Sequence, residues 1–192
     1  MPKVFLVAAL LGSLLLSVPQ SNTGAGQEKT AGQDKAGGAS AVEAPIKVKV
    51  TTGGALYGPV KSQYKVGEEI PVVIYLTNNT DRPQTYCMSD SLFQNRPQLK
   101  KDGKLIPYLT RLLKLAESPE YVQRCETNAA RQFYELQPKE SRSVDWLVLN
   151  GGSVNWYGNL PAGRYELGLQ RRIVCCQGPF LESDTITFEI VP

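Results

Sequence analysis

From residue 46 to the C-terminus, the sequence repeats short segments in which apolar and polar residues alternate. Residues 46–50 read Ile-Lys-Val-Lys-Val, and residues 70–77 carry apolar side chains on both faces of the same pattern. Alternation with a period of two is typical of β-strands. Nothing in the pattern supplies the long crossover helices that a parallel sheet requires. We therefore predict an all-β fold, an antiparallel β-sandwich of seven or eight strands.

Turn residues refine this arrangement. Asp102-Gly103 stands in the middle of the segment 99–106, and an Asp-Gly pair between apolar segments is a strong signal for a β-hairpin. The segment 83–88 should return beside 70–77, because only turn residues separate the two. Further strands are predicted at residues 143–149, 164–172 and 185–191.

One stretch departs from the period of two. Leu112, Leu113 and Leu115 favour a short helix, and Ser118-Pro119 is typical of the cap and first position of a second one. We therefore expect a short helical insertion within residues 109–125.

The first 45 residues differ in composition from the rest. Lys3 precedes an apolar run at residues 4–18, which is shorter than the roughly 20 residues of a membrane-spanning helix. A basic start, a short apolar core and the small residues Thr23-Gly24-Ala25 indicate a secretory signal peptide in residues 1–25. Residues 26–45 are rich in Gly, Ala, Gln and Lys, which predicts a flexible linker before a domain at 46–192.

The predicted signal peptide sends the mature protein to the periplasm or the extracellular space, with no stable membrane insertion after cleavage. An uncleaved membrane anchor and a buried core helix are the alternatives for residues 4–18.

All four cysteines, Cys87, Cys125, Cys175 and Cys176, follow the predicted signal peptide. An even number in an oxidising compartment indicates two disulfides. Neighbouring side chains of an extended strand point to opposite faces, so we predict one bond from Cys87 and one from Cys125, each to a member of the adjacent pair. A four-thiolate zinc site and a redox or vicinal disulfide pair are the alternatives. The cysteine spacing lacks the paired Cys-x-x-Cys halves of zinc sites.

The sequence contains no histidine. Ser-His-Asp and Cys-His catalytic sites and histidine-ligated zinc are therefore excluded. Carboxylates follow no spacing that selects a catalytic pair, and calcium-binding and phosphate-binding loop motifs are missing from the sequence. A net charge of +3 argues against a nucleic-acid partner, and we expect Arg171-Arg172 on a solvated strand face. We predict no catalytic residue, no cofactor and no metal.

Aromatic side chains occupy two informative places. Val144, Trp146 and Val148 alternate in one predicted strand and should share a face. Trp156 and Tyr157 follow in a loop, where large aromatic residues are less expected. Packing in the core, or as a cover at a corner of the sandwich, is the interpretation that we favour for them. A possible binding loop of the kind that carbohydrate-binding sandwiches use is the alternative.

The order of the turn and strand motifs resembles a known family. Tyr-Lys-Val-Gly-Glu-Glu-Ile at 64–70 leads into Leu-Thr-Asn-Asn-Thr at 76–80, and Leu-Pro-Ala-Gly-Arg-Tyr-Glu-Leu follows at 160–167. Lys-Asp-Gly-Lys at 101–104 and Leu-Gln-Pro-Lys-Glu-Ser at 136–141 lie between them. This series is similar to the bacterial intracellular proteinase inhibitor (BsuPI-type) family. The resemblance implies an immunoglobulin-like sandwich and protease inhibition as one activity, without placing an inhibitory residue.

Together these observations predict a secreted, non-catalytic, immunoglobulin-like module of the bacterial cell envelope. Its role would be structural or to bind an unknown protein or glycan. A proteinase inhibitor of the BsuPI type is the first alternative, and a carbohydrate-binding or enzymatic accessory domain is the second.

Overall fold

The computed structural model describes residues 44–120, 131–151, 155–175 and 178–192. The predicted signal peptide, linker residues 26–43, Cys125 and Cys176 lie outside these ranges. Most of the predicted second helix lies outside them as well.

Strands dominate the described ranges. The first six are β1 (Ile46–Thr52), β2 (Gln63–Lys65), β3 (Pro71–Asn78), β4 (Gln84–Met88), β5 (Asn95–Lys101) and β6 (Lys104–Leu105). The others are β7 (Gln132–Leu136), β8 (Ser141–Val148), β9 (Gly163–Arg172), β10 (Phe180–Glu182) and β11 (Ile186–Val191). Two short helices are α1 (Ser91–Gln94) and α2 (Thr110–Ala116).

The strands form three sheets. A small sheet has the order β1-β3-β8, and a large one has the order β2-β11-β9-β5-β6 with β10 beside β9. Strands β4 and β7 make a separate two-stranded sheet. Neighbouring strands are antiparallel apart from β2 and β11, which run parallel. The predicted all-β sandwich with a short helical insertion is confirmed, although the described residues form eleven strands where seven or eight were predicted.

One hydrophobic cluster lies between the small and the large sheets. Val72, Ile74 and Leu76 of β3 are fully buried in it, together with Leu99 of β5 and Leu167 of β9. Burial of such a side chain contributes about 1.5–3 kcal/mol. The apolar face predicted for β3 is therefore the face that holds the sandwich together.

The predicted hairpin at Asp102-Gly103 is confirmed. Both residues have positive φ angles, 52° and 73°, and they join β5 to β6. Two consecutive positive φ angles are characteristic of the two-residue turn that matches the twist of a hairpin.

Strand β4 does not return beside β3, contrary to the prediction. Both edges of β3 are taken, by β1 on one side and β8 on the other, so β4 pairs with β7 instead. The buried side chain of Asn78 supports this exit because its Nδ2 donates to the carbonyls of Arg82 and Leu136, at 2.8 and 3.1 Å. That amide holds the start of β4 and the end of β7 together beneath the end of β3.

Strand β8 also departs from the prediction, because its alternation is interrupted. The register with β3 shifts between Ile74, which faces Asp145, and Tyr75, which faces Ser143. The extra residue, Val144, makes a β-bulge. Val144 is buried while Trp146 is 46 % exposed, so the two do not share a face.

A disulfide joins Cys87 of β4 to Cys175, which follows β9, with a Cα–Cα distance of 5.1 Å. The backbone N–H of Cys87 also donates to Ile173 O at 2.9 Å. These links attach the two-stranded sheet to the large sheet. The bond agrees with the pairing predicted for Cys87, and the bond predicted for Cys125 stays a prediction.

Within the described residues, no helix combines the length and apolar character needed to cross a membrane.

We predict that the double substitution Cys87→Ala and Cys175→Ala lowers the free energy of unfolding by about 2–4 kcal/mol, because it frees the ends of a long loop in the unfolded chain. Urea denaturation under non-reducing conditions measures this. Wild-type protein in reducing buffer should approach the value of the variant. Unchanged stability, or peptide mapping that joins Cys87 to another cysteine, would contradict the assignment.

Candidate functional site

Trp156 and Tyr157 lie in the interior, so the possible binding loop is not a surface. The two side chains are only 4 % and 1 % exposed and belong to the hydrophobic core. The Tyr157 hydroxyl accepts from Leu99 N at 3.1 Å and donates to Pro97 O at 2.7 Å. It thus satisfies two backbone groups at the edge of β5 as a neighbouring strand would. Packing in the core, the favoured interpretation, describes these aromatic residues.

The segment around Trp156 closes one open side of the sandwich. Trp156 N donates to Val148 O at 3.3 Å, and Tyr157 N donates to Leu149 O at 2.8 Å. Through these bonds the segment connects the end of β8, in the small sheet, to β5, in the large sheet. Burial raises the pKa of the Tyr157 hydroxyl far above its ordinary value. The hydroxyl is therefore protonated and available as a donor at every physiological pH.

An ion pair crosses the interior beside this closed side. Arg171 of β9 is fully buried, and its Nη1 lies 3.0 Å from Asp145 Oδ2 of β8. Asn95 of β5 joins the pair, because its Oδ1 accepts from Arg171 Nη1 at 2.7 Å and its Nδ2 donates to Asp145 Oδ2 at 2.8 Å. The expectation that Arg171 lies on a solvated face is therefore wrong.

The electrostatics of this pair follow from its burial. Desolvation lowers the pKa of Arg171, and the neighbouring Asp145 carboxylate partly offsets that shift. Asp145 accepts three hydrogen bonds, since its Oδ1 also accepts from Trp146 N at 2.8 Å. Together these bonds fix the orientation of its carboxylate.

A mainly apolar cleft of about 520 Å³ opens next to this network. It runs along the outer edge of β8 towards α1 and α2. We call it the Trp146 cleft, and its principal walls are Leu92, Leu112, Leu115, Trp146, Leu147 and Trp156.

Two large side chains of the Trp146 cleft are open to solvent. Trp146 is 46 % exposed and Leu115 is 43 % exposed. The Trp146 ring packs on Tyr57 with a centroid distance of 4.6 Å, and Leu56, next to Tyr57 in the chain, is 95 % exposed. Exposed apolar surface of this kind marks sites of interaction.

The backbone of β8 inside the cleft is already satisfied. Trp146 N is taken by Asp145, Trp146 O accepts from Ser91 Oγ at 3.4 Å, and Val148 O accepts from Trp156 N. Strand edges that are protected in this way do not invite the addition of another strand. The cleft therefore offers side-chain contacts, and main-chain pairing is disfavoured.

The described part of the chain holds no cluster of three or more metal-ligating side chains. The second carboxylate in the cleft, Asp90, caps α1, with its Oδ1 accepting from Leu92 N at 2.8 Å.

No family model matches this chain, and no curated protein matches it either.

Sequence reasoning missed Asp145, Asn95 and Arg171 as one unit. A signal for Arg171 was present, because it follows Tyr165, Leu167 and Leu169 at intervals of two on the apolar face of β9. Asp145 alternates with the buried Leu147 of β8, but that local pattern does not indicate which residue of another strand its carboxylate meets.

We predict that Asp145→Leu destabilises the fold by about 3–5 kcal/mol, because it leaves Arg171 buried without a counter-charge. Adding Arg171→Met should recover most of this loss, since an apolar pair of similar volume replaces the ion pair. Chemical denaturation of both single variants and the double variant measures the coupling. Additive losses in the double variant would contradict the inferred dependence of one residue on the other.

Proposed function

We propose that the chain is a non-catalytic binding module whose Trp146 cleft receives an apolar side chain of a protein partner. The observation that carries this proposal is the cleft itself, an apolar cavity of about 520 Å³ with Trp146 and Leu115 half exposed at its walls. The volume falls within the range of about 300–1,000 Å³ typical of ligand pockets.

The composition of the cleft supports a protein as its occupant. Tryptophan is enriched among the few interface residues that carry most of the binding free energy, and such residues pair with pockets that exclude water. Covering Trp146 and Leu115 would remove apolar surface from water at about 25 cal/mol per Å².

The cleft is also held in place before binding. Trp146 is on a strand, its ring packs on Tyr57, and its backbone N–H is bonded to Asp145. Asp145 is in turn fixed by Arg171 across the sandwich. Such preorganisation favours affinity, because little side-chain freedom is lost on binding.

We place this function outside the cytoplasm, in the periplasm or at the cell surface. The predicted signal peptide supports that location. The disulfide supports it too, because disulfides form and persist in oxidising compartments.

Protease inhibition of the BsuPI type is a second candidate. One observation favours it: Leu56 is 95 % exposed at the tip of a loop whose backbone is braced by Gly54 N to Gly58 O, at 2.8 Å, and Tyr57 N to Gly54 O, at 2.9 Å. An exposed apolar residue on a braced loop suits the specificity pocket of a protease. Undiminished activity of a protease panel at saturating protein would reject this candidate, as would inhibition that persists in Leu56→Asp.

We predict that Trp146→Ala weakens partner binding at least tenfold without loss of folding, because the ring lies on the outer face and not in the core. Crosslinking to envelope extract, followed by affinity measurement with the purified partner, tests this. Phe133→Ala is the matched control, since Phe133 is a 66 % exposed aromatic residue of β7 outside the cleft.

The control should bind like the wild type. Capture that is equal in wild type, Trp146→Ala and Phe133→Ala would show that the partner does not use the cleft. The proposal would then be overturned.

A further inference from the structure

The outer face of the large sheet carries a second depression, separate from the Trp146 cleft. It is an open polar groove of about 240 Å³, and we call it the Gly168 groove after the residue at its floor. The polar side chains that line it are Gln98, Lys100, Glu166, Gln170, Glu182 and Thr185.

Gly168 stands near the middle of the ten-residue strand β9, where a glycine weakens a sheet. Two ordinary reasons for a strand glycine do not apply to it. Its φ angle lies outside the positive region, and a Cβ there would approach only Thr185 Oγ1 at 3.8 Å and Gln98 Cβ at 4.0 Å, both ordinary contacts. What the missing side chain does provide is open space above the sheet, the kind of place where a ligand approaches closely.

The groove contains hydrogen-bond donors and acceptors that are not bonded within the described fold. Lys100 and Glu166 are register partners on neighbouring strands, and neither side chain makes a hydrogen bond or ion pair to any described residue. Thr185 Oγ1 is likewise unbonded within the described ranges. Gln98 and Gln170 use their amide nitrogens, on Tyr108 OH and Glu182 Oε1 at 2.9 Å each, which leaves both amide oxygens as acceptors.

The charges in the groove indicate a class of ligand. Lys100 carries a positive charge and Glu166 and Glu182 carry negative ones, so the groove suits neither a polyanion nor a polycation. Interleaved donors and acceptors suit a ligand that carries many hydroxyl groups. Leu105, 59 % exposed at the rim, offers an apolar contact such as the C–H face of a sugar ring uses. The volume is below the range of drug-sized pockets, which favours one unit of a chain lying along an open groove.

We propose that the Gly168 groove binds a neutral glycan chain, with one sugar unit seated over Gly168. Lys100 and Thr185 donate to its hydroxyl groups, while Glu166 and the Gln98 amide oxygen accept from them. This site is independent of the protein partner proposed for the Trp146 cleft.

The test uses the full chain and a fixed panel of probes: linear hexamers of β-linked glucose, α-linked glucose and β-linked N-acetylglucosamine, with heparin as the polyanion. Calorimetric titration at low and high salt measures affinity. We expect at least one neutral hexamer to bind with little dependence on salt, and heparin to bind weakly or not at all.

Gly168→Val is the decisive variant, because its side chain fills the floor while its Cβ meets no close contact. We expect it to fold at least as stably as the wild type and to lose glycan affinity at least tenfold. Thr185→Ala should weaken binding several-fold without altering the backbone. Arg164→Ala, on the same strand but outside the groove, should bind like the wild type, and so should Trp146→Ala.

Four results would overturn the proposal. They are no binding of any neutral hexamer, salt-sensitive binding of heparin alone, full affinity in Gly168→Val, and loss of glycan affinity in Trp146→Ala. The last would place the glycan in the Trp146 cleft. Because Gly168→Val leaves that cleft intact, it should still bind the protein partner, so failure of one proposal is distinguishable from failure of the other.

Discussion

The buried ion pair between Arg171 and Asp145 joins the large sheet to the small one across the interior of the sandwich. Regular alternation in β9 places Arg171 in the interior, and a buried guanidinium needs a carboxylate close by. Asp145 alternates with the buried Leu147 on the inward face of β8 and supplies that carboxylate 3.0 Å away. The same alternation turns Trp146 outward, where it forms an exposed wall of the Trp146 cleft. The β-bulge directly before Asp145 allows Val144 to be buried as well.

The sandwich is closed beside this pair by aromatic residues in place of a strand. Tyr157 satisfies the edge of β5 with its hydroxyl, and Trp156 bonds to the end of β8 through its backbone. The Trp146 cleft lies where this closure meets α1 and α2. The two tryptophans therefore lie in different environments, with Trp146 exposed at the cleft and Trp156 in the core.

Much of the fold could be predicted from local pattern, and most of the candidate site could not. Buried residues recur at regular intervals along strands β3, β9 and β11, so these strands could be predicted from the sequence. The Asp102-Gly103 turn could be predicted as well, because it needs no distant contact. Strands β2, β7 and β10 bury at most one residue each, so their sequences show little alternation of apolar and polar residues. The pairing of β4 with β7 and the bulge in β8 depend on which edges other strands occupy, which is non-local information. The burial of Trp156 and Tyr157 could be anticipated from their size, but the strand edge that they cover could not, for the same reason.

The most direct test of this account is iodide quenching of tryptophan fluorescence, since the chain has two tryptophans. The account predicts one accessible component from Trp146, 46 % exposed, and one resistant component from Trp156, 4 % exposed. The variant Trp146→Phe should retain only the resistant component. If both components of the wild type resist iodide, or if Trp146→Phe leaves the accessible component in place, then Trp146 does not face outward from β8. The inward position of Asp145 and the exposed wall of the Trp146 cleft would then be contradicted.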